Sequence, residues 1–179
     1  IRNSAWYISM WGRYFRFLGA PNEAPLPGVG RLADLTAPAL LLAQAIGRVG
    51  DVINGEHCAT QTDLPWGIVY THADSPGLVC STAPVHPAVG YELLFDLALL
   101  AILWPLRNRL RPHGMFFTLY LACYSIGRFF ISFLRVEFNE YFGALNEAQV
   151  IALIVMLVTI PLLVYKAKLV KPAAGSLSP

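Results

Sequence analysis

The chain has 179 residues, of which 56% are hydrophobic and only 13% charged, with a mean hydropathy of +0.53. A soluble domain carries about 25% charged residues, so a single small water-soluble core is excluded and an all-α, polytopic transmembrane helical protein is expected. The formal net charge of +2 and the lack of a basic cluster interleaved with stacking aromatics argue against nucleic acid as a partner.

The first residue is Ile1, and no charged-then-apolar-then-cleavable pattern opens the sequence. The start is therefore expected to lie downstream of the natural N-terminus. Residues 1–30 read as the end of an earlier span, with the interfacial run Trp6, Tyr7, Trp11, Arg13, Tyr14, Phe15 and Arg16, followed by a Pro/Gly linker. Residues 31–165 read as one membrane-embedded domain, and 166–179 as a disordered cytoplasmic tail.

The spacing predicts a first helix over Arg31 to Gly50, with Asp34 or Thr36 as its N-cap. Its uninterrupted apolar core, Ala37 to Ile46, is short for a bilayer about 30 Å thick. A half-span or a helix shielded by neighbours is expected. Two apolar runs follow, Trp66 to Tyr70 and Leu78 to Thr82, separated by Asp74-Ser-Pro-Gly77. They read as a small extracytoplasmic hairpin.

Full spans are expected over His86 to Leu106, Gly114 to Leu134 and Ala148 to Tyr165. Asn146 and Gln149 are placed as a capping box for the last, and Pro161 as its kink. If the four segments alternate, Arg13, Arg16, Arg31, Arg107, Arg109, Arg111, Lys166, Lys168 and Lys171 share one side, which should be cytoplasmic. Arg48, Arg128 and Arg135 break that rule, and each needs a local reason.

The stretch Gly47 to Glu56, GRVGDVINGE, sets Arg48 between glycines that permit close backbone approach, with Asp51, Asn54 and Glu56 within about two helical turns. Arginine offers a permanently charged fork that matches phosphate or carboxylate, so an anionic lipid head group is the natural ligand. The alternative is a helix-end arginine whose head reaches water. Arg128 lies roughly 21 Å into its span at 1.5 Å per residue, sharing a face with Tyr124, Ser132 and Arg135.

Arg128 either pairs with Glu92 or Asp96 or converges with Arg48 on one phosphate; their common membrane level favours the second. His86 and Tyr91 stand at that same level. His86 is either a hydrogen-bonded cap or a proton acceptor working near neutral pH. Cys58 and Cys80 read as free thiols in preference to a disulfide, and with His57 and His72 they form no zinc spacing, so no metal or cofactor is expected.

These blocks resemble prolipoprotein diacylglyceryl transferases. GRVGDVINGE is preceded by APALLLAQAI and followed by LPWGIVY; then come HP-x-x-x-YE at His86 to Glu92, the basic loop Arg107 to Arg111, GRFFISFLR at Gly127 to Arg135, and a last span beginning near Gln149. The resemblance covers roughly residues 31–165. It implies a multi-pass bacterial plasma-membrane enzyme with an outward-facing active site and a cytoplasmic C-terminus. Such an enzyme moves a diacylglyceryl group from phosphatidylglycerol to the lipobox cysteine of a prolipoprotein signal peptide and releases glycerol phosphate.

By the same resemblance Arg48 and Arg128 are the catalytic arginines and Asn54, Glu56 and Arg135 match further functional positions; Asp51, His86 and Tyr91, from their place in the same blocks, are expected to join them in shaping the substrate site. The family usually has Asn at Asp51, Phe at Val52, Gly at Ala59, Gln at Val89 and Glu at Ser132, and its histidine-glycine-glycine block falls ahead of this sequence. A relative that binds phosphatidylglycerol or signal peptides without transfer is the alternative.

Overall fold

A computed structural model describes residues 28–136, 140–141 and 145–170. The expected interfacial run before residue 28 and the tail after residue 170 lie outside the described residues. Four helices are long and apolar enough to cross a membrane: α1 (Val29–Asn54), α3 (Ala88–Leu103, extended by a 3-10 turn to Leu106), α4 (Met115–Ile131, extended likewise to Leu134) and α5 (Glu147–Lys166). A five-residue helix, α2 (Pro76–Cys80), lies in the connection between α1 and α3.

The first helix is longer than expected. Its 26 residues, which include Pro38, reach about 39 Å at 1.5 Å per residue. It is thus long enough for a full span, not the half-span the sequence allowed. Glycines at 47 and 50 dilute its apolar run without breaking it, and Gly55 ends it in the left-handed conformation (φ 64°). Neither expected N-cap serves α1. Thr36 bonds its own helix at the Ala33 carbonyl, and Asp34 points across the bundle. Its carboxylate accepts from Gly114 N–H at 2.8 Å and Phe117 N–H at 2.9 Å, capping α4 from another helix.

The capping box of α5 is present as expected, with Gln149 N–H donating to Asn146 Oδ1 (2.9 Å) and Asn146 N–H donating to Gln149 Oε1 (3.0 Å). Pro161 lies inside that helix.

Ala37 and Leu41 of α1, Leu99 and Leu103 of α3, and Met115, Phe116 and Tyr120 of α4 bury one another. Gly127 lets α4 approach closely: a Cβ there would meet the Phe95 ring at 2.1 Å. Large apolar side chains such as Leu94, Leu157 and Val164 point outward, as helices facing hydrocarbon require.

The expected hairpin differs in its second arm. Leu78 to Cys80 are helical, and the strand-like partner of Ile68 is Val85. Pro76 at the first helical position and Ser75 before it favour a helix start over a turn. Cys58 and Cys80 form a disulfide, with Cα atoms 5.6 Å apart, where free thiols were expected. Nothing in their 22-residue separation marks the pair. Lys168–Leu169 (β4), expected within a disordered tail, pair antiparallel with Leu110–Arg111 (β1). A second short ladder joins Glu140–Tyr141 (β2) to Leu145–Asn146 (β3).

Candidate functional site

Three arginines that the sequence places on two different helices and a loop meet one carboxylate. Glu92 stands in the second turn of α3, where the helix N-terminus favours negative charge. Arg48 Nη2 lies 2.7 Å from Glu92 Oε2. Arg128 Nη1 and Arg135 Nη1 both donate to Oε1, the latter at 3.2 Å.

The Arg48 contact is a charge contact without the alignment of a hydrogen bond, so Oε2 has a cation beside it and no aligned donor. Arg128 pairs with Glu92, while Asp96 lies one turn deeper with its buried Oδ1 lacking a hydrogen-bond partner among the described residues. The three arginines that break the positive-inside pattern have the same local reason.

Arg48 is held a second time by Asp51, three residues on, at 2.7 Å. Asp51 thus pairs within its own helix and blunts the charge that it would otherwise set against an anion. Arg135 is fixed by backbone pairing. Ala59 bridges Arg135, Thr60 N–H donates to the Leu134 carbonyl and Val136 N–H to that of Cys58, each at 3.0 Å. The disulfide ties this ladder to α2.

His57, which the sequence reading considered only as a metal ligand, belongs to the same cluster. Its Nδ1 accepts from Arg135 Nη2 at 2.6 Å, leaving the hydrogen on Nε2, which is 3.8 Å from Asp51 Oδ2. Burial, and then the Arg135 charge, hold its pKa below the ordinary 6.5. His57 is therefore neutral near pH 7. It adopts the left-handed conformation (φ 71°), rare for a residue with a side chain, two residues after the left-handed Gly55. The signal available in the sequence was the position of His57 beside Glu56.

The other expected residues divide. Asn54 Nδ2 donates to Glu56 Oε1 at 2.7 Å on an exposed surface. Tyr91 accepts from Trp66 Nε1 at 2.7 Å and lies 3.4 Å from His86 Nδ1. This trio is joined to the arginine cluster by its neighbour Glu92, and the described contacts do not bring His86 onto the arginines. Gly47 and Gly50 were expected to permit a close backbone approach. Instead no other described element comes within 4 Å of a would-be Cβ at either glycine, while Arg48 turns into the bundle onto Glu92.

Oxygen and nitrogen atoms of Asp51, Glu56 and His57 lie within 4.8 Å of one another, near enough to share a cation. Arg48 on Asp51 and Arg135 on His57 already occupy those donors.

Among the described residues Glu92 receives Arg48, Arg128 and Arg135, and Asp51 holds Arg48 a second time. A monoanionic phosphate placed there meets cations already oriented by protein contacts, in a setting where charge interactions are strong.

The family model for prolipoprotein diacylglyceryl transferase matches residues 27–165. The chain is 37% identical over 147 residues to phosphatidylglycerol–prolipoprotein diacylglyceryl transferase 2 of Streptomyces coelicolor, covering 82% of this chain and 45% of that protein. Transferases of the same name from Cutibacterium acnes (38% identity, 69% of this chain, 42% of the relative) and Dehalococcoides mccartyi (35%, 78% and 53%) are similar. The chain thus spans about half the length of the curated relatives it matches. With four candidate membrane spans and a family model covering most of its length, the chain is a membrane protein that belongs to the prolipoprotein diacylglyceryl transferase family.

Proposed function

We propose that the protein transfers a diacylglyceryl group from phosphatidylglycerol to the lipobox cysteine of a prolipoprotein signal peptide in the bacterial plasma membrane, with the arginine cluster facing outward and the C-terminus in the cytoplasm. The observation that carries this reading is the convergence of Arg48, Arg128 and Arg135 on one carboxylate.

The peptide thiol, whose ordinary pKa is about 8.5, gives up its proton, which ends on the released glycerol phosphate or in water. The thiolate then attacks the diacylglycerol carbon that is bonded to the phosphate through oxygen. A carbon–sulfur bond forms as the carbon–oxygen bond breaks, and glycerol phosphate leaves with the electron pair. Negative charge grows on that leaving group, and Arg48 and Arg128 oppose it in the transition state without changing protonation. Glu92 holds their guanidiniums at anion-binding spacing before substrate arrives. Asp51, Asn54, Glu56, His86, Tyr91 and Arg135 shape the head-group and peptide site.

The test uses membranes carrying the protein as the cell makes it, with phosphatidylglycerol labelled in its acyl chains and a lipobox peptide. Label is expected on the cysteine peptide, none on its Cys→Ser counterpart, and at least a hundredfold less with Arg48→Ala, on the order of one oxyanion-stabilising contact. The Asp51–Arg48 pair favours one second reading, a relative that binds the lipid without transferring it. A folded protein that retains phosphatidylglycerol and labels nothing would establish that reading in place of the transferase.

A further inference from the structure

The opposite end of the bundle carries a second basic site that the transfer chemistry does not use. Arg31 is 17 residues before Arg48 on α1, or about 26 Å along the helix. There the start of α1 and the turn between α3 and α4 enclose a cavity of about 520 Å³, lined by Arg31, Asp34, Leu35, Trp104, Arg107 and Arg111 among others.

Its back wall is fixed. Asp34 caps Gly114 and Phe117, and Gly30 packs so tightly that a Cβ would meet the His113 carbonyl oxygen at 2.6 Å. Arg107 lies over the Trp104 ring, 4.3 Å from its centroid, and donates to the Trp104 carbonyl. Asp34 is the one acid among the described residues that line the cavity, and both of its oxygens are engaged in capping. Arg111 also faces Lys168 across the β1–β4 ladder, a like-charge pair that destabilises unless an anion lies between.

Orientation in the membrane asks only that basic residues lie on this side. It does not ask that three surround one fixed cavity. Leu35 (60% exposed) and Trp104 (51%) put apolar surface at the cavity's mouth. A phosphate there would have its acyl chains beside hydrocarbon-facing helix.

We infer that this cavity holds the phosphodiester head group of an anionic membrane phospholipid from the leaflet at the Arg31 end. The site is separate from the arginine cluster around Glu92 and does not depend on the transferase reading. Basic pockets between spans recognise such head groups by charge and reach, with about 1 kcal/mol for each lysine or arginine near the surface.

The experiment counts lipids retained by the whole protein. Phosphatidylcholine nanodiscs doped with phosphatidylglycerol would be used, followed by native mass spectrometry and titration with spin-labelled phosphatidylglycerol. Arg31→Gln is expected to weaken association about fivefold, and Arg31→Gln/Arg107→Gln to lose one anionic lipid per chain. Arg48→Ala is expected to keep that lipid, and phosphatidylcholine retention should not change. Arg31 is exposed and makes no ion pair among the described residues, so its single variant tests the site without loss of fold. Equal retention by parent and Arg31→Gln would overturn the inference. So would displacement of the lipid by millimolar glycerol phosphate, which would make this a site for small soluble anions.

Discussion

Glu92→Gln isolates the charge on which the arginine cluster depends. Glutamine keeps the volume and a carbonyl acceptor but removes the anion that faces Arg48, Arg128 and Arg135. A guanidinium–carboxylate contact at about 4 Å contributes about 4 kcal/mol at an effective dielectric of about 20. Desolvation of Glu92, 4% exposed, cancels much of the gross sum. Removing one partner of a buried pair is destabilising by about 3–5 kcal/mol. Retained shape places this variant near about 3 kcal/mol, or about 6–12 °C in melting temperature for a chain of this size.

Thermal unfolding in detergent, followed by tryptophan fluorescence, reads that shift. Adding phosphatidylglycerol should restore the variant more than the parent, because a lipid phosphate can replace the missing carboxylate. The double variant Glu92→Gln/Arg48→Gln should lose less than the sum of the single losses, since the second change removes one of the cations left uncompensated. A Glu92→Gln protein that melts with its parent, or a double variant whose losses add, would refute Glu92 as the organising anion.

His57 gives a pH dependence whose sign follows from its lowered pKa. The unfolded chain binds the proton more readily, so this contribution to stability is fully present above pH 6.5 and is lost as pH falls toward the folded-state value. His57→Asn, chosen because asparagine tolerates positive φ, should flatten melting temperature between pH 7.5 and 5.5; an unchanged slope would clear His57 of the effect. Asp34→Ala should cost about 1–2 kcal/mol by stripping the cap from α4, with hydrogen exchange accelerated in the first turn of α4. Exchange unchanged there would contradict the capping role. Reducing the Cys58–Cys80 disulfide should destabilise by about 3 kcal/mol, since it closes a loop of 22 residues, and should open the 57–85 segment to protease. Equal digestion of oxidised and reduced protein would count against it.

The helices were legible because apolar runs of this length have few other uses in a chain so poor in charge. The capping box at Asn146 and Gln149 was legible because both of its bonds are local. Asp34 was misread for the opposite reason. Its residue type announces a cap, but the helix it caps begins 80 residues later. The length of α1 was hidden by Gly47 and Gly50, which hydropathy counts as weak and an exposed helix face tolerates. The common depth of Arg48 and Arg128 was read as convergence on a phosphate, whereas both meet Glu92, the alternative weighed as a partner of Arg128. That one carboxylate receives Arg135 as well depends on the 58–60 and 134–136 pairing, a contact between distant segments that local patterns do not encode. The disulfide was illegible for the same reason.

The Asp34 cap also bears on how the protein is made. Chains emerge N-terminus first, so α1 is synthesised well before the amides of Gly114 and Phe117 exist. Until then the carboxylate at the end of α1 must remain hydrated at the membrane surface, and the first turn of α4 later arrives with its donors unmet. Each half carries a polar debt that only the other can cancel. Docking of the third long helix against the first is therefore favoured over a loose arrangement of independently inserted spans, and biogenesis is given an order.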